Sequence, residues 1–268
     1  MTRAPGAGST ASLGQRVRPE DILRWGPGWS RPVGWVLDHV YWSTTVTGAE
    51  HVPTEGPVII ASNHTGVVDG PVMHGAIPRG SHFLVKQEFF TSRIGFLMRW
   101  AGQIPVDRAS GRAALVVAQK MLEEGRVVGI FPEGNRGRGD VASARAGVAW
   151  LAVRTGAPVV PAAILGTRPT GRKVGYVPPP RARLHVAFGA PIDVSVAADD
   201  GGIGAGTGAD DGGGAPGTTG AGRGAAPNGR AAMAAAVAAI RDGLADHVRD
   251  AVRVTGVKLP ADGPDLRA

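Results

Sequence analysis

Short apolar runs alternate with helical segments along most of the chain, and this alternation restricts the fold more than any other sequence feature. Runs of four to six residues with the aliphatic content of buried strands occupy Ser43–Thr47, Val58–Ser62, His82–Val85, Gln103–Val106, Val127–Phe131, Val159–Ile164 and Arg183–Phe188. Helical patterns between them cover Gly70–Ile77, Ser92–Ala101, Ser110–Glu124 and Ser143–Thr155. The alternation predicts an α/β domain with a mixed or largely parallel sheet flanked by helices.

The carboxyl ends of parallel strands meet at one edge of such a sheet, and chemistry is expected in the loops that leave that edge. The run Val159–Ile164 carries Pro161 near its middle. Proline lacks the N–H that a central strand donates to its neighbours. This strand is therefore predicted to lie at an edge of the sheet, or to be distorted at a site.

Composition divides the chain into five parts. Residues 1–18 are polar and rich in small side chains, which predicts a disordered leader. Residues 19–42 form a short helical region, and residues 43–198 are the α/β domain. Residues 199–229 are dominated by glycine and hold no aromatic side chain, which predicts a flexible insert. In residues 230–268, apolar side chains three or four positions apart predict an amphipathic helix that docks on the domain, followed by a tail.

The helical region 19–42 is unusual because it holds four of the six tryptophans: Trp25, Trp29, Trp35 and Trp42. The prolines and glycines of Gly26-Pro27-Gly28 and Pro32 are predicted to break it into short helices. Tryptophan and arginine beside aliphatic side chains are typical of a helix that lies in a lipid interface. The alternative is a helical hairpin packed on the domain, and both can hold at once.

The chain is basic, with 29 lysines and arginines against 22 acidic residues, a formal net charge of +7. This balance favours an anionic partner, which could be nucleic acid, a lipid surface or a phosphorylated substrate. The arginines cluster at turns rather than along a helix, which argues against nucleic acid. The absence of cysteine excludes disulfides, a thiolate nucleophile and cysteine-based metal sites. No uncharged apolar run reaches the roughly 18–20 residues of a spanning helix, and no signal-peptide pattern is present, so a cytoplasmic protein is expected.

The strand Val58–Ser62 leads into the pair Asn63-His64, and Asp69 follows His64 by five positions, where a helix begins. This short loop allows the carboxylate to fold back on the imidazole. A histidine whose Nδ1–H is held by a carboxylate presents Nε2 as a general base. The alternative is that Asp69 caps the helix and His64 merely closes the strand.

Three further segments combine a strand with a charged turn or a proline: Gly102-Gln-Ile-Pro-Val-Asp-Arg108, Phe131-Pro-Glu-Gly-Asn-Arg-Gly-Arg138 and Val159-Val-Pro-Ala-Ala-Ile164. Together with Asn63-His64-x4-Asp69 they resemble, in order and spacing, the four sequence blocks of glycerolipid acyltransferases of the lysophosphatidic acid acyltransferase type. The resemblance spans residues 44–191. It departs from the family pattern at Gly66, Asn135 and Gly137, where serine or threonine is usual.

The resemblance implies transfer of a fatty acyl group from acyl-CoA or acyl carrier protein to a hydroxyl of a lysophospholipid, with 1-acylglycerol 3-phosphate as the expected acceptor. The alternatives are another acceptor (glycerol 3-phosphate, an ornithine lipid or a glycolipid) or a catalytically silent lipid-binding protein. The resemblance implies neither a cofactor nor a metal.

The resemblance also implies roles for individual residues. His64 would be the base and Asp69 its orienting carboxylate. The acceptor's glycerol phosphate would be bound by Arg108, Glu133 and Gly134, with Lys86 and Arg136 as further candidates; guanidinium groups suit phosphate through their paired donors.

A protein that acylates lipids without a spanning helix has to meet the membrane from one side. A second candidate surface for this is Phe89–Trp100, an apolar stretch with Arg93 and Arg99 that is predicted to contact anionic headgroups. The alternative is that this stretch belongs to the core, with its arginines facing solvent. The expected location is therefore peripheral, on the inner face of the cell membrane.

Overall fold

The computed structural model describes residues 17–107, 111–142, 144–194 and 229–263. The strands are β1 (Ser43–Thr47), β2 (Val58–Ser62), β3 (Ser81–Lys86), β4 (Ile104–Val106), β5 (Val127–Ile130), β6 (Val159–Leu165) and β7 (Arg183–Phe188). The α-helices are α1 (Gly26–Val36), α2 (Asp69–Ala76), α3 (Gln87–Phe90), α4 (Gly95–Trp100), α5 (Gly111–Glu123), α6 (Gly147–Thr155) and α7 (Gly229–Thr255). A π-helical turn, Leu37–Tyr41, follows α1 directly. Each predicted strand is present.

The strands form one sheet in the order β1-β7-β6-β2-β5-β3-β4. Neighbouring strands are parallel throughout, except for the antiparallel pair β6 and β7. In the register of the central strands, Ala61 lies beside Ile130 on one side and Pro161 on the other. This mostly parallel sheet with flanking helices confirms the predicted fold class.

The strand order decides where the loops meet. Because β2, β3, β4, β5 and β6 run in the same direction, their carboxyl ends share one edge of the sheet. Since β2 lies between β5 and β6, the loops that follow these three strands are neighbours. Residues far apart in sequence are thereby brought together at this edge.

Each face of the sheet carries its own core, because successive side chains of a strand point to opposite faces. Ile59 and Val128 belong to the core beneath α5, α6 and α7. Ile60 and Val160 belong to the core beneath α2. The buried stripe of α7 recurs at helical spacing and comprises Ala236, Ile240, Leu244, Val248 and Ala251.

The prediction of an edge strand at Pro161 is wrong, because β6 lies between β2 and β7 inside the sheet. The Pro161 carbonyl accepts a hydrogen bond from the Gly189 N–H at 2.8 Å, so its backbone faces the segment that follows β7. Since β7 ends at Phe188, the proline stands where the ladder with β7 has already ended. Its missing N–H therefore falls one residue beyond the last pair of β6 and β7, which is Ala162 and Phe188.

Two helical predictions differ from the structure. The region 19–42 is divided, as predicted, before Gly26-Pro27: a short 3₁₀ helix, Pro19–Asp21, precedes α1. The break predicted at Pro32 is absent. Pro27 lies in the first turn of α1, where its N–H would have no helical acceptor, and Pro32 forgoes a single hydrogen bond. The helix predicted for Ser92–Ala101 is present as α4 but begins only at Gly95, and a further short helix, α3, precedes it at Gln87–Phe90. A side chain at Gly95 would collide with the carbonyl of Phe90, and this close approach allows the chain to turn between the two helices.

Three predictions fall wholly or mainly outside the described residues: the leader 1–18, the insert 199–229 and the role of Arg108. In the described parts of the chain, no helix combines the length and the apolar character that crossing a bilayer requires.

Candidate active site

Asn63 fixes the end of β2 to the neighbouring strand β6. Its side-chain amide donates to the Ile164 carbonyl at 3.1 Å and accepts from the Ile164 N–H at 2.8 Å. The fully buried amide thus replaces a rung of the sheet where β2 ends. This pairing sets the direction in which the next residue, His64, leaves the strand.

The structure places His64 and Asp69 in direct contact. The distance from His64 Nδ1 to Asp69 Oδ2 is 2.8 Å. A carboxylate can only accept, so Nδ1 carries a proton, and in the neutral ring the lone pair then lies on Nε2. The His64 side chain is 12% exposed, whereas the Asp69 side chain is completely buried. This is the geometry of an oriented general base.

Asp69 is the first residue of α2, but its carboxylate faces back onto the loop rather than capping the helix. Oδ2 also accepts the backbone N–H of Thr65 at 2.6 Å and of Gly66 at 2.8 Å. Oδ1 accepts the hydroxyl of Thr167 at 2.5 Å. Sequence reasoning missed Thr167 because it lies 98 residues from Asp69. The sequence signal that could have identified Thr167 is its position two residues after the buried run that forms β6.

The loop after β5 holds His64 by its ring and its backbone. The Phe131 ring stacks on the imidazole with a centroid separation of 4.1 Å and an angle of 14°. Glu133 Oε1 accepts the His64 N–H at 3.0 Å, and the Gly137 N–H donates to the His64 carbonyl at 2.9 Å. Phe131 was quoted in the motif but given no role by sequence reasoning.

Glu133 was predicted to bind the acceptor, and the structure places its carboxyl group on the backbone of His64. Burial raises the pKa of Glu133 to about 7, against the lowering effect of that backbone hydrogen bond. The adjacent Gly134 has a φ of +69°, in the left-handed region that favours glycine, and a side chain there would collide with that of Arg145.

Two cationic side chains of the predicted set border the same turn. Lys86 Nζ, at the end of β3, donates to Asn135 Oδ1 at 2.9 Å. The Arg136 guanidinium lies 5.0 Å from the centroid of the Phe89 ring. Its buried Nε has no hydrogen-bond partner among the described residues. Burial lowers the pKa of Arg136, and the negative charge of Asp69 opposes that shift.

The structure therefore brings together six of the seven predicted residues at one edge of the sheet: His64, Asp69, Lys86, Glu133, Gly134 and Arg136. The seventh, Arg108, lies outside the described residues, two positions after the end of β4. The last residue of β4, Val106, pairs with Lys86 in the register of β3 and β4, so β4 ends on the Lys86 side of the site.

The comparisons with known proteins point to one family. A family model described as Acyltransferase matches residues 43–165. Over 124 residues the chain is 36% identical to a 1-acyl-sn-glycerol-3-phosphate acyltransferase of Bacillus subtilis, covering 45% of this chain and 62% of that protein. Over 129 residues it is 35% identical to the protein of the same name from Borreliella burgdorferi, covering 46% and 51%.

A human relative, 1-acyl-sn-glycerol-3-phosphate acyltransferase alpha, is 34% identical over 122 residues, covering 43% of each chain. The matched part of the chain thus spans about half the length of these curated relatives. Among solved structures, the 1-acyl-sn-glycerophosphate (LPA) acyltransferase PlsC from Thermotoga maritima is similar, with a TM-score of 0.47 and 22% identity, over 63% of this chain and 67% of that one.

Proposed function

We propose that this chain, whose residues 43–165 match a family model described as Acyltransferase, transfers a fatty acyl group to the free hydroxyl of a lysophospholipid. The acceptor that we propose is 1-acylglycerol 3-phosphate, and the product is phosphatidic acid. The observation that carries this proposal is the His64–Asp69 pair, with its Nε2 available as a base, beside a buried guanidinium nitrogen that has no protein partner among the described residues.

In the proposed reaction, His64 Nε2 accepts the proton of the acceptor hydroxyl as its oxygen attacks the thioester carbonyl carbon of the donor. A C–O bond forms, and the tetrahedral intermediate collapses with cleavage of the C–S bond. The imidazolium then returns its proton to the departing thiolate. Asp69 holds the reactive tautomer and stabilises the imidazolium. The proposed reaction needs no cofactor, because acyl-CoA or acyl carrier protein enters as the donor substrate.

The phosphate of the acceptor is proposed to bind at the turn after β5. The unpartnered Nε of Arg136 supports this, because a buried N–H without an acceptor is costly and an anion would supply one. Lys86 borders the turn, and Arg108 remains a further candidate from sequence. For Glu133, the contact with the His64 backbone supports a positioning role, while direct acceptor binding stays a prediction.

The decisive experiment measures thiol release from a long-chain acyl-CoA, and from acyl carrier protein, with a panel of acceptors. The panel holds 1-acylglycerol 3-phosphate, glycerol 3-phosphate, an ornithine lipid and a glycolipid. We expect release that depends on 1-acylglycerol 3-phosphate and is lost in His64→Ala. Release with a different acceptor would correct the substrate. No release with any donor or acceptor would leave a silent lipid-binding protein.

We further propose that the enzyme meets an anionic membrane surface, at the inner face of the cell membrane, through α1 and α4. The Trp29 Nε1–H donates to the Trp100 carbonyl at 3.1 Å, so the two candidate surfaces adjoin each other. Trp25 is 60% exposed, Trp100 is 55% exposed and Phe96 is 48% exposed. Such a concentration of exposed aromatic side chains is typical of an interfacial surface.

Some residues of the predicted membrane surface are not free to contact lipid in the structure. Trp42 is buried. Arg24 pairs with Glu124, and the Arg31 Nε donates to the Ile77 carbonyl, so both arginines fasten the helical region to the domain. The exposed cations beside the aromatic surface are Arg93 and Arg99.

Co-sedimentation with vesicles tests this surface. We expect stronger binding to vesicles with phosphatidylglycerol than to neutral ones, weakened by salt and by the double variant Phe96→Ser, Trp100→Ser. Val254→Ser is the matched control, because Val254 is exposed on α7 and lies outside the proposed surface. Binding that ignores lipid charge, or that Val254→Ser weakens equally, would contradict the proposed surface.

A further inference from the structure

The loop that follows β6 reaches into the candidate active site, although none of its residues belongs to the motif blocks. Thr167 and Arg168 are both buried there. A side chain added at Gly66 would meet Thr167 and Arg168 at ordinary van der Waals distance, which shows how closely this loop packs on the loop that carries His64.

The direction of the hydrogen bonds at Thr167 follows from the number of protons available. The Thr167 hydroxyl lies 2.5 Å from Asp69 Oδ1 and 2.9 Å from the hydroxyl of Thr65. A carboxylate only accepts, so Thr167 gives its single proton to Asp69 and must accept the proton of Thr65. Thr167 therefore donates to Oδ1, the carboxylate oxygen that His64 does not use.

Arg168 holds this loop in place with all five of its N–H groups. Nε donates to the Thr65 carbonyl at 2.8 Å, and Nη2 donates to the Gly137 carbonyl at 2.8 Å and to the Asp262 carbonyl at 3.0 Å. Nη1 donates to the Arg172 carbonyl at 3.1 Å and to Asp262 Oδ2 at 3.0 Å. The side chain of Arg168 has no exposed surface.

The loops that accept hydrogen bonds from Arg168 are also the loops that hold His64 and Asp69. The Thr65 N–H donates to Asp69, and the Gly137 N–H donates to the His64 carbonyl. The loops after β2, β5 and β6 are thus joined through one guanidinium. We propose that Thr167 is a positioning residue of the His64–Asp69 pair, fixing the rotation of the Asp69 carboxylate, and that Arg168 fixes Thr167. This inference rests on the proposed acyl transfer.

The test compares Thr167→Val, which keeps the shape and removes the hydroxyl, with Thr167→Ser, which restores it. Thr170→Val is the matched control: Thr170 lies in the same loop and its hydroxyl accepts the Ala261 N–H, away from Asp69. We expect Thr167→Val to lower kcat roughly 10- to 100-fold, the range for a lost hydrogen bond to a charged group, with KM for donor and acceptor within about twofold. Thr167→Ser should keep kcat within about threefold, as should Thr170→Val.

All variants are assayed at a temperature where circular dichroism shows them folded. Equal kcat in Thr167→Val, Thr170→Val and the unchanged protein would overturn the proposal. Arg168→Lys keeps the charge with three donors in place of the planar fork, so it should lower kcat as Thr167→Val does. A folded Arg168→Lys protein with unchanged kcat would overturn the role of Arg168.

A second readout does not require turnover. In histidine labelled with ¹⁵N, the ring signals of His64 are identified by their loss in His64→Ala. In Thr167→Val these signals should move away from those of an Nδ1-protonated ring, whereas Thr170→Val should leave them unchanged. Unmoved signals would contradict the positioning role. Absence of acyl transfer by the unchanged protein, with ring signals that respond to Thr167→Val, would instead overturn the proposed function alone.

Discussion

At the scale of single residues, the Asp69 carboxylate is held by hydrogen bonds from several sides. Two backbone N–H groups, one imidazole and one hydroxyl converge on it inside the protein. Hydrogen bonds of this kind compensate the ionised carboxylate for its loss of water. His64 therefore meets a fixed negative charge rather than a mobile side chain.

Removing the base should abolish most of the turnover. We expect His64→Ala to lower kcat by about 10²–10⁴, the usual contribution of general-base catalysis, without unfolding the protein. Asp69→Asn should also be severe, because an amide in place of the carboxylate favours the wrong imidazole tautomer. Steady-state kinetics on protein shown to be folded by circular dichroism check both. A near-normal kcat in His64→Ala would contradict the proposed mechanism.

The phosphate contact should be separable from the chemistry. We expect Arg136→Ala to raise KM for 1-acylglycerol 3-phosphate by roughly 10- to 100-fold, the value of one charge-assisted contact, with KM for acyl-CoA nearly unchanged. Arg138→Ala is the control, because Arg138 is exposed two positions further along the same turn. Equal losses toward donor and acceptor would indicate damage to the fold instead.

At the scale of elements, α1 crosses α2 at a contact between two glycines. A Cβ at Gly34 would lie 2.9 Å from Gly75 Cα, and a Cβ at Gly75 would collide with the Gly34 carbonyl and with the Asp38 carboxyl group. His74 of α2 adds a polar link, with its Nε2 2.9 Å from the hydroxyl of Ser30. The aromatic helix α1 is therefore seated on the helix that begins with Asp69.

A methyl group at this crossing should force the helices apart. We expect Gly75→Ala to lower the free energy of unfolding by about 1–3 kcal/mol, as for other overpacked contacts. Gly70→Ala, in the same helix but with no atom near the added methyl, should be neutral or slightly stabilising. Urea unfolding measures both. Similar values for the two variants would show that the close crossing does not matter to stability.

At the scale of the whole molecule, folding buries one carboxyl group that the proposed reaction does not use. Asp38, in the turn after α1, is fully buried; Thr44 Oγ1 lies 3.5 Å from its Oδ1, and its Oδ2 has no partner among the described residues. Burial raises the pKa of Asp38 from 3.8 to about 8. The folded protein therefore keeps a proton at neutral pH that the unfolded chain releases.

This proton makes folding depend on pH. Between about pH 4 and pH 8 the folded state holds the Asp38 proton and the unfolded state does not, so Asp38 costs more stability as the pH rises through that window. Asp38→Asn removes this dependence. We expect the gap in unfolding free energy between the variant and the unchanged protein to widen in favour of Asn by about 1 kcal/mol per pH unit.

Urea unfolding of both proteins at pH 5, 6 and 7 measures that gap, and other titrating groups cancel because both chains share them. The opposite trend, or a constant gap, would show that Asp38 is ionised in the folded protein.

The strands could be predicted from the sequence alone, because buried aliphatic runs of this length have few other uses in a globular fold. The pairing of His64 and Asp69 also follows from the sequence, since only four residues separate a histidine just after a strand from a carboxylate at the start of a helix. Both are local properties. The continuous α1 was predicted less well, because the cost of Pro27 and Pro32 depends on their places within the helical turn.

The distant residues that support that pair could be identified only from the folded chain. The pairing of β7 with β6 puts Pro161 inside the sheet, and the order β6-β2-β5 brings Thr167 and Glu133 to opposite sides of His64. The physical reason is that the strand order depends on how two cores pack against one sheet. That packing energy comes from many contacts between residues far apart along the chain. The local spacing of residues therefore does not reveal the strand order.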